Sequence, residues 1–198
     1  MYKQLKTSLS LLLLLTTLTG IIYPAIVTGI AQLFFPLQAN GSLVALNGKV
    51  IGSALLGQSF DAPHYFWGRP SATTPYPYNA SNSSGSNMGP SNPDYLKTVQ
   101  ERVDHLHQNA GNTALTIPAD LVTASGSGLD PDISHLAALY QVPRIAQETH
   151  LPEEKIETLI QQHLKTRTLG ILGEPRVNVL ELNIALDTLR SSHDRTAP

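Results

Sequence analysis

The chain has 198 residues, with 13 Lys+Arg against 15 Asp+Glu and no Cys. A formal net charge of −2 provides no basic footprint for nucleic acid, and the lack of thiols excludes both disulfide staples and a cysteine-linked lipid anchor. Any folded domain in it depends on its own apolar core.

From Thr7 to Gly48 there is no Lys, Arg, Asp, Glu or His, and Lys3 and Lys6 precede this run. The apolar part, residues 9–35, exceeds the ~20 residues a helix needs to cross a hydrocarbon core of ~30 Å. Its Leu, Ile and Val side chains each favour insertion by about 0.3 to 0.6 kcal/mol, and no charge opposes them. The first charge after the span is Lys49, so the flanking lysines predict a cytoplasmic N-terminus over residues 1–8 and an extracytoplasmic domain over residues 36–198. That location corresponds to a cell membrane protein with a single pass through the bilayer. A cleaved secretory signal with Leu9 to Leu15 as its core is the competing reading. Against it, no Ala-x-Ala pattern follows Leu15, and the apolar character continues to Phe35.

Gly20, Gly29 and the pair Tyr23-Pro24 interrupt the span. Small residues let membrane helices approach closely, which makes Gly20, Tyr23, Pro24 and Gly29 candidate interface positions; a lone anchor with incidental Gly and Pro is the alternative. Beyond the span, segments 42–46 and 49–56 flank Asn47-Gly48, the dipeptide suited to a type I′ hairpin turn, and Val44, Leu46 and Val50 are expected on a buried side. Residues 60–93 form a long aperiodic loop rich in Pro, Asn, Ser and Gly. Its aromatics argue for order, and Tyr65, Phe66, Trp67 and Arg69 are candidate interface anchors, with core packing of Trp67 as the alternative.

The second half reads as helical. Asn92 caps, Pro93 opens and Asp94 complements the dipole of a helix that carries Leu96, Val99, Val103 and Leu106 and ends near Gly111. Helices are expected over Ser134 to Tyr140, Pro143 to His150 and Pro152 to Lys165, with Ile156, Leu159, Ile160 and Leu164 on the apolar face of the last. Val177 ends a short strand, and Val179, Leu182, Leu186 and Leu189 mark a final amphipathic helix. One transmembrane helix, then a hairpin, then several helices make the predicted class α+β.

Catalytic motifs fail on inspection. Residues 52–59 match a phosphate-binding P-loop except that Gln58 replaces the lysine, and the segment lies at the end of a strand instead of opening a helix. Ser127 between Gly126 and Gly128 lacks the spacing of a nucleophile elbow and is expected in a turn. His105 and His107 point to different faces of a helix, and Glu153 and Glu154 suit a helix N-terminus. The Asn/Ser/Gly stretch 79–92 offers oxygens to a weakly held monovalent cation, or else simply bonds to itself.

Blocks along nearly the whole chain resemble the C subunit of the Kdp high-affinity potassium-transporting ATPase. They include Tyr23-Pro24, the segments 38–42, 52–58 and 65–72, Ser84 to Asn87, and Ser91 to Pro93. Segments 121–130, 142–146 and 177–183 complete the pattern. The resemblance implies a single-span accessory subunit, described for the family as an assembly factor or catalytic chaperone that raises ATP affinity. Its implied partners are a channel-like potassium-translocating subunit, a P-type ATPase subunit and a small fourth membrane subunit. ATP and K+ would be handled by those partners, with no catalytic residue, cofactor or metal in this chain. Since the predicted domain lies outside, any effect on ATP would be indirect. A membrane-tethered extracytoplasmic hydrolase or solute-binding protein is the alternative, for which the residues supply no convincing catalytic set.

Overall fold

The computed structural model describes residues 2–109 and 116–196, with side chains through 193. The chain divides into two compact units, Met1–Ile51 and Gly52–Pro198. In the first, helix α1 (Tyr2–Thr17), a π-helical turn (Leu18–Ile22) and helix α2 (Tyr23–Phe34) run on as one apolar helix of 33 residues, Tyr2–Phe34. At 1.5 Å per residue it is about 50 Å long, ample for a bilayer. The widened turn has a local cause. Pro24 carries no N–H for the carbonyl of Gly20, and its ring crowds that carbonyl; the turn before it opens so that the Tyr23 N–H donates to the Leu18 carbonyl, five residues back. Thr19 Oγ1 donates to the Leu15 carbonyl at 2.7 Å. Such local adjustment is how a proline is accommodated in lipid.

A short helix α3 (Pro36–Ala39) follows, then strands β1 (Leu43–Leu46) and β2 (Lys49–Ser53), paired in a two-stranded sheet. Asn47 and Gly48 both have positive φ, +52° and +78°, as a type I′ turn requires. The expected buried side of this hairpin is not observed: Leu46 and Val50 are 47% and 55% exposed. A two-stranded ribbon has no opposing layer of its own to cover it.

The second unit contains α4 (Pro93–Asn109), a 3₁₀ turn (Ala119–Leu121), β3 (Asp132–Ser134), α5 (His135–Tyr140), α6 (Val142–Thr149) and α7 (Glu153–His163). Strands β4 (Leu164–Lys165) and β5 (Arg176–Asn178) and helix α8 (Val179–Thr196) complete it. The caps follow the sequence. Asn92 Oδ1 accepts from the N–H groups of Asp94 and Tyr95, Ser134 Oγ accepts from the Ala137 N–H, and His150 in left-handed backbone ends α6. The expected end of α4 at Gly111 lies outside the described residues.

The short strand expected at Val177 is β5, the central strand of the sheet that organises this unit; its neighbours β3 and β4 are additions to the sequence reading. The sheet order is β3-β5-β4, antiparallel throughout, with Val177 opposite both Ile133 and Leu164. Leu164, expected at the end of a helix, instead opens β4. Around fully buried Val177 the core gathers Ile133, Ile145, Ile156, Ile160, Leu182 and Leu186. Helices α5, α7 and α8 pack on the sheet, and α7 packs on both α5 and α8.

Candidate functional site

The aromatic loop is ordered because three polar side chains, from α8, α6 and the residue joining α5 to α6, bond its backbone. The Phe66 N–H donates to Asn183 Oδ1 at 2.9 Å, and Asn183 Nδ2 donates to the Phe66 carbonyl at 3.0 Å. Gln141 does the same for the next residue, accepting from the Trp67 N–H at 2.7 Å and donating to its carbonyl at 3.2 Å. Carboxamides carry one acceptor and two donors, so each imitates a neighbouring strand. Arg144, 4% exposed, donates to the carbonyls of Pro63 and Tyr65 and to Gln141 Oε1. Burial lowers its pKa to about 10, which still leaves the guanidinium charged at neutral pH.

Trp67 is sandwiched by chemistry as well as by packing. The Arg144 guanidinium lies 3.8 Å from its ring centroid, and the His105 ring stacks on it at 5.1 Å. Beside it opens a cavity of about 510 Å³ whose walls include Phe60, Trp67, Arg69, Tyr78, Arg102 and His105. Tyr65 donates its hydroxyl to Asp187 Oδ2 at 2.9 Å, which fastens the start of the segment to α8.

A second loop closes against the first. Arg69 Nη1 meets Asp130 Oδ2 at 2.9 Å, and Ser71 Oγ donates to the Gly128 carbonyl at 2.7 Å while accepting from the Tyr78 N–H. Tyr78 donates to the Arg69 carbonyl at 2.5 Å. Burial, aided by the Asp130 and Asp61 carboxylates, pushes the Tyr78 phenol up to about 12, with Arg69 opposing. Close approach is possible because glycine lines the contact: a Cβ on Gly57 would meet Tyr78 Cε1 at 2.4 Å and the Asp130 carbonyl oxygen at 2.6 Å. Gly128, with φ of +68°, sits equally tightly against Thr73 and the Ser84 carbonyl.

The sequence-predicted positions fall in different surroundings. Phe66 is 0% exposed and belongs to the core, so its ring reaches no surface of this unit. Trp67 and Arg69 are half-buried and line the cavity, whereas Tyr65, also half-buried, is turned to Asp187 on α8. On the apolar helix Gly20, Tyr23, Pro24 and Gly29 are exposed, and a Cβ at either glycine would meet nothing within 4 Å. Residues 52–59 run from strand into turn, with the Gln58 side chain folded over Gly52 and the Gly57 N–H on the Leu129 carbonyl. Ser127 lies in a turn, where its Oγ accepts from the Leu129 N–H. The 79–92 stretch bonds to itself and its neighbours: Asn79 accepts from the N–H and hydroxyl of Ser81, Asn79 and Asn82 donate to the Thr74 carbonyl, and Ser83 donates to Ser127.

Asn183, Gln141 and Arg144 carry this arrangement, and sequence reasoning passed over them. Asn183 left a signal, since it interrupts the stripe of Val179, Leu182 and Leu186 at helical spacing.

Comparison with known proteins is consistent along the whole length. The family model for the K+-transporting ATPase c chain matches residues 5–188. A potassium-transporting ATPase KdpC subunit from Herpetosiphon aurantiacus is 56% identical over 186 residues, covering 94% of this chain and 96% of the relative. The protein of the same name from Dechloromonas aromatica is 55% identical over 185 residues (93% and 97%), and that from Methylococcus capsulatus is 54% identical over 191 (96% and 100%). With one apolar helix, an α+β fold and this full-length agreement, the chain belongs to the KdpC family, the c chain of the K+-transporting ATPase.

Proposed function

We propose that this chain is a non-catalytic accessory subunit of an ATP-driven, high-affinity potassium uptake complex. Its helix crosses the cell membrane once, with residues 1–8 in the cytoplasm and 36–198 outside. Its partners are the channel-like subunit, the P-type ATPase subunit and a small fourth membrane subunit, and they handle K+ and ATP. The outer domain sits over the potassium entrance and supports ATP binding and K+ import from a distance, by favouring one conformation of the pump over another. The orientation carries this reading: Lys3 and Lys6 precede the span, and no charge follows it before Lys49. A cytoplasmic ATP site is then out of direct reach.

The test compares the complex with the whole chain and with a chain cut to its span and hairpin. Removal of residues 54–198 is expected to raise the ATP concentration needed for K+-stimulated hydrolysis; an unchanged ATP dependence overturns the proposal. A single Cys placed at Ser42, in a chain that has no other, is expected to react with a membrane-impermeant thiol reagent added outside intact cells. Photolabelling of this chain by an ATP analogue would contradict the indirect route.

A further inference from the structure

The cavity beside Trp67 carries a cation that no carboxylate pairs. Its volume of about 510 Å³ falls within the ~300 to 1,000 Å³ of small-molecule sites, and Phe60, Leu106 and Leu121 share its walls with two guanidinium groups, Arg69 and Arg102. Arg69 is engaged by Asp130 through Nη1, yet its Nε is buried and donates to nothing among the described residues. Arg102 forms no ion pair among the described residues; its Nη1 donates to the Val122 carbonyl at 2.9 Å. Burial lowers the Arg102 pKa, with Tyr95 opposing, which is the direction of a charge that has lost water without gaining a counterion. With Nη1 taken in both residues, the Nε–Nη2 edge of each remains, an edge that can grip a carboxylate through two parallel N–H bonds.

The same walls limit the charge of the occupant. Asp61 and Glu101 also border the cavity, so a phosphate dianion or a polyphosphate would meet repulsion that a single carboxylate, offset by Arg102, meets far less. The volume exceeds what one Asp or Glu side chain of another protein would fill. Apolar walls favour an apolar body behind the charge. Because Arg102 lies on α4 while Phe60 and Arg69 lie on the aromatic loop, one occupant touches both elements.

We propose that this cavity binds a small monocarboxylate with an apolar body, its carboxylate paired with Arg102 and its body against Phe60, Leu106 and Leu121. Radiolabelled cinnamate is the probe, in equilibrium dialysis against the full chain in detergent, with detergent alone as the blank. Saturable binding is expected with a Kd below about 1 mM, weakened roughly tenfold by Arg102→Gln, the scale of one charge-assisted hydrogen bond. Thr98→Phe puts a ring into the cavity from α4 and leaves both guanidinium groups in place. It is expected to abolish binding while the thermal melt holds, and it decides the matter if Arg102→Gln does not fold. Unlabelled cinnamyl alcohol and cinnamyl phosphate are expected to compete roughly tenfold more weakly than unlabelled cinnamate. Equal competition by either, no saturable binding, or unchanged binding in either folded variant overturns the proposal, and none of these outcomes touches the subunit reading.

Discussion

The Asn183 carboxamide satisfies both backbone polar groups of Phe66, accepting from its N–H at 2.9 Å and donating to its carbonyl at 3.0 Å. Both partners are almost fully buried, so water cannot replace the lost bonds. Asn183→Leu keeps the volume and strands two polar groups at about 1 to 3 kcal/mol each. The expected loss is about 3 kcal/mol, seen as a Tm lowered by about 6 to 12 °C in thermal melts of the purified chain. A melt within 2 °C of the unaltered protein would show that the loop does not depend on this pair.

Much of the domain is readable before folding, and the reasons are local. Asn92-Pro93-Asp94 marks the start of α4 because capping, ring geometry and dipole all act within four residues. Asn47-Gly48 marks its turn because few dipeptides tolerate two positive φ values in succession. Of the three-stranded sheet only β5 is foreshadowed, at Val177; β3 and β4, of three and two residues, are too short to show alternation. The same holds for the site. Trp67 and Arg69 stand out by residue type, whereas Gln141 and Arg144 look like ordinary helix-end residues until the loop, 74 to 81 positions earlier in the chain, lies across them.

Gly57→Ala is expected to be costly and Gly126→Ala harmless. The first places a methyl 2.4 Å from Tyr78 and 2.6 Å from the Asp130 carbonyl oxygen, which as backbone cannot swing aside. A loss of about 2 to 3 kcal/mol is expected from that overpacking. At Gly126 an added Cβ meets nothing within 4 Å, so the change should stay within about 0.5 kcal/mol. Paired denaturation curves test the contrast; equal midpoints for the two variants would refute it.

Tyr78 makes the domain sensitive to alkali. Its folded pKa of about 12 lies above the ordinary 10, because burial first and the nearby carboxylates second disfavour the phenolate. The sign follows from proton binding: the folded state holds the proton more tightly, so its contribution is complete below pH 10 and is lost as pH rises from 10 to 12. A difference of two units corresponds to about 3 kcal/mol. Tyr78→Phe should therefore flatten the stability profile over that window relative to the unaltered chain. Parallel profiles for the two proteins would exclude Tyr78 as the source.

In the span, Gly20→Ile and Gly29→Ile fill positions that are open on the helix itself. If another membrane helix packs there, each bulky side chain is expected to lower recovery of the chain with the pump several-fold. The melt of the unit Gly52–Pro198 should not move. Full recovery of both variants would assign these glycines no packing role.

The π-helical turn at Leu18–Ile22 gives the apolar helix a division of labour along its length. One extra residue in a turn displaces every later side chain by about 100° around the axis. The leucine-rich half before it and the Ile26 to Ile30 half after it thus look in different directions, as two short helices would. A helix of this length set across a bilayer would then present one flank at one leaflet and a different flank at the other. Removing Pro24 would merge these two aspects into one continuous stripe.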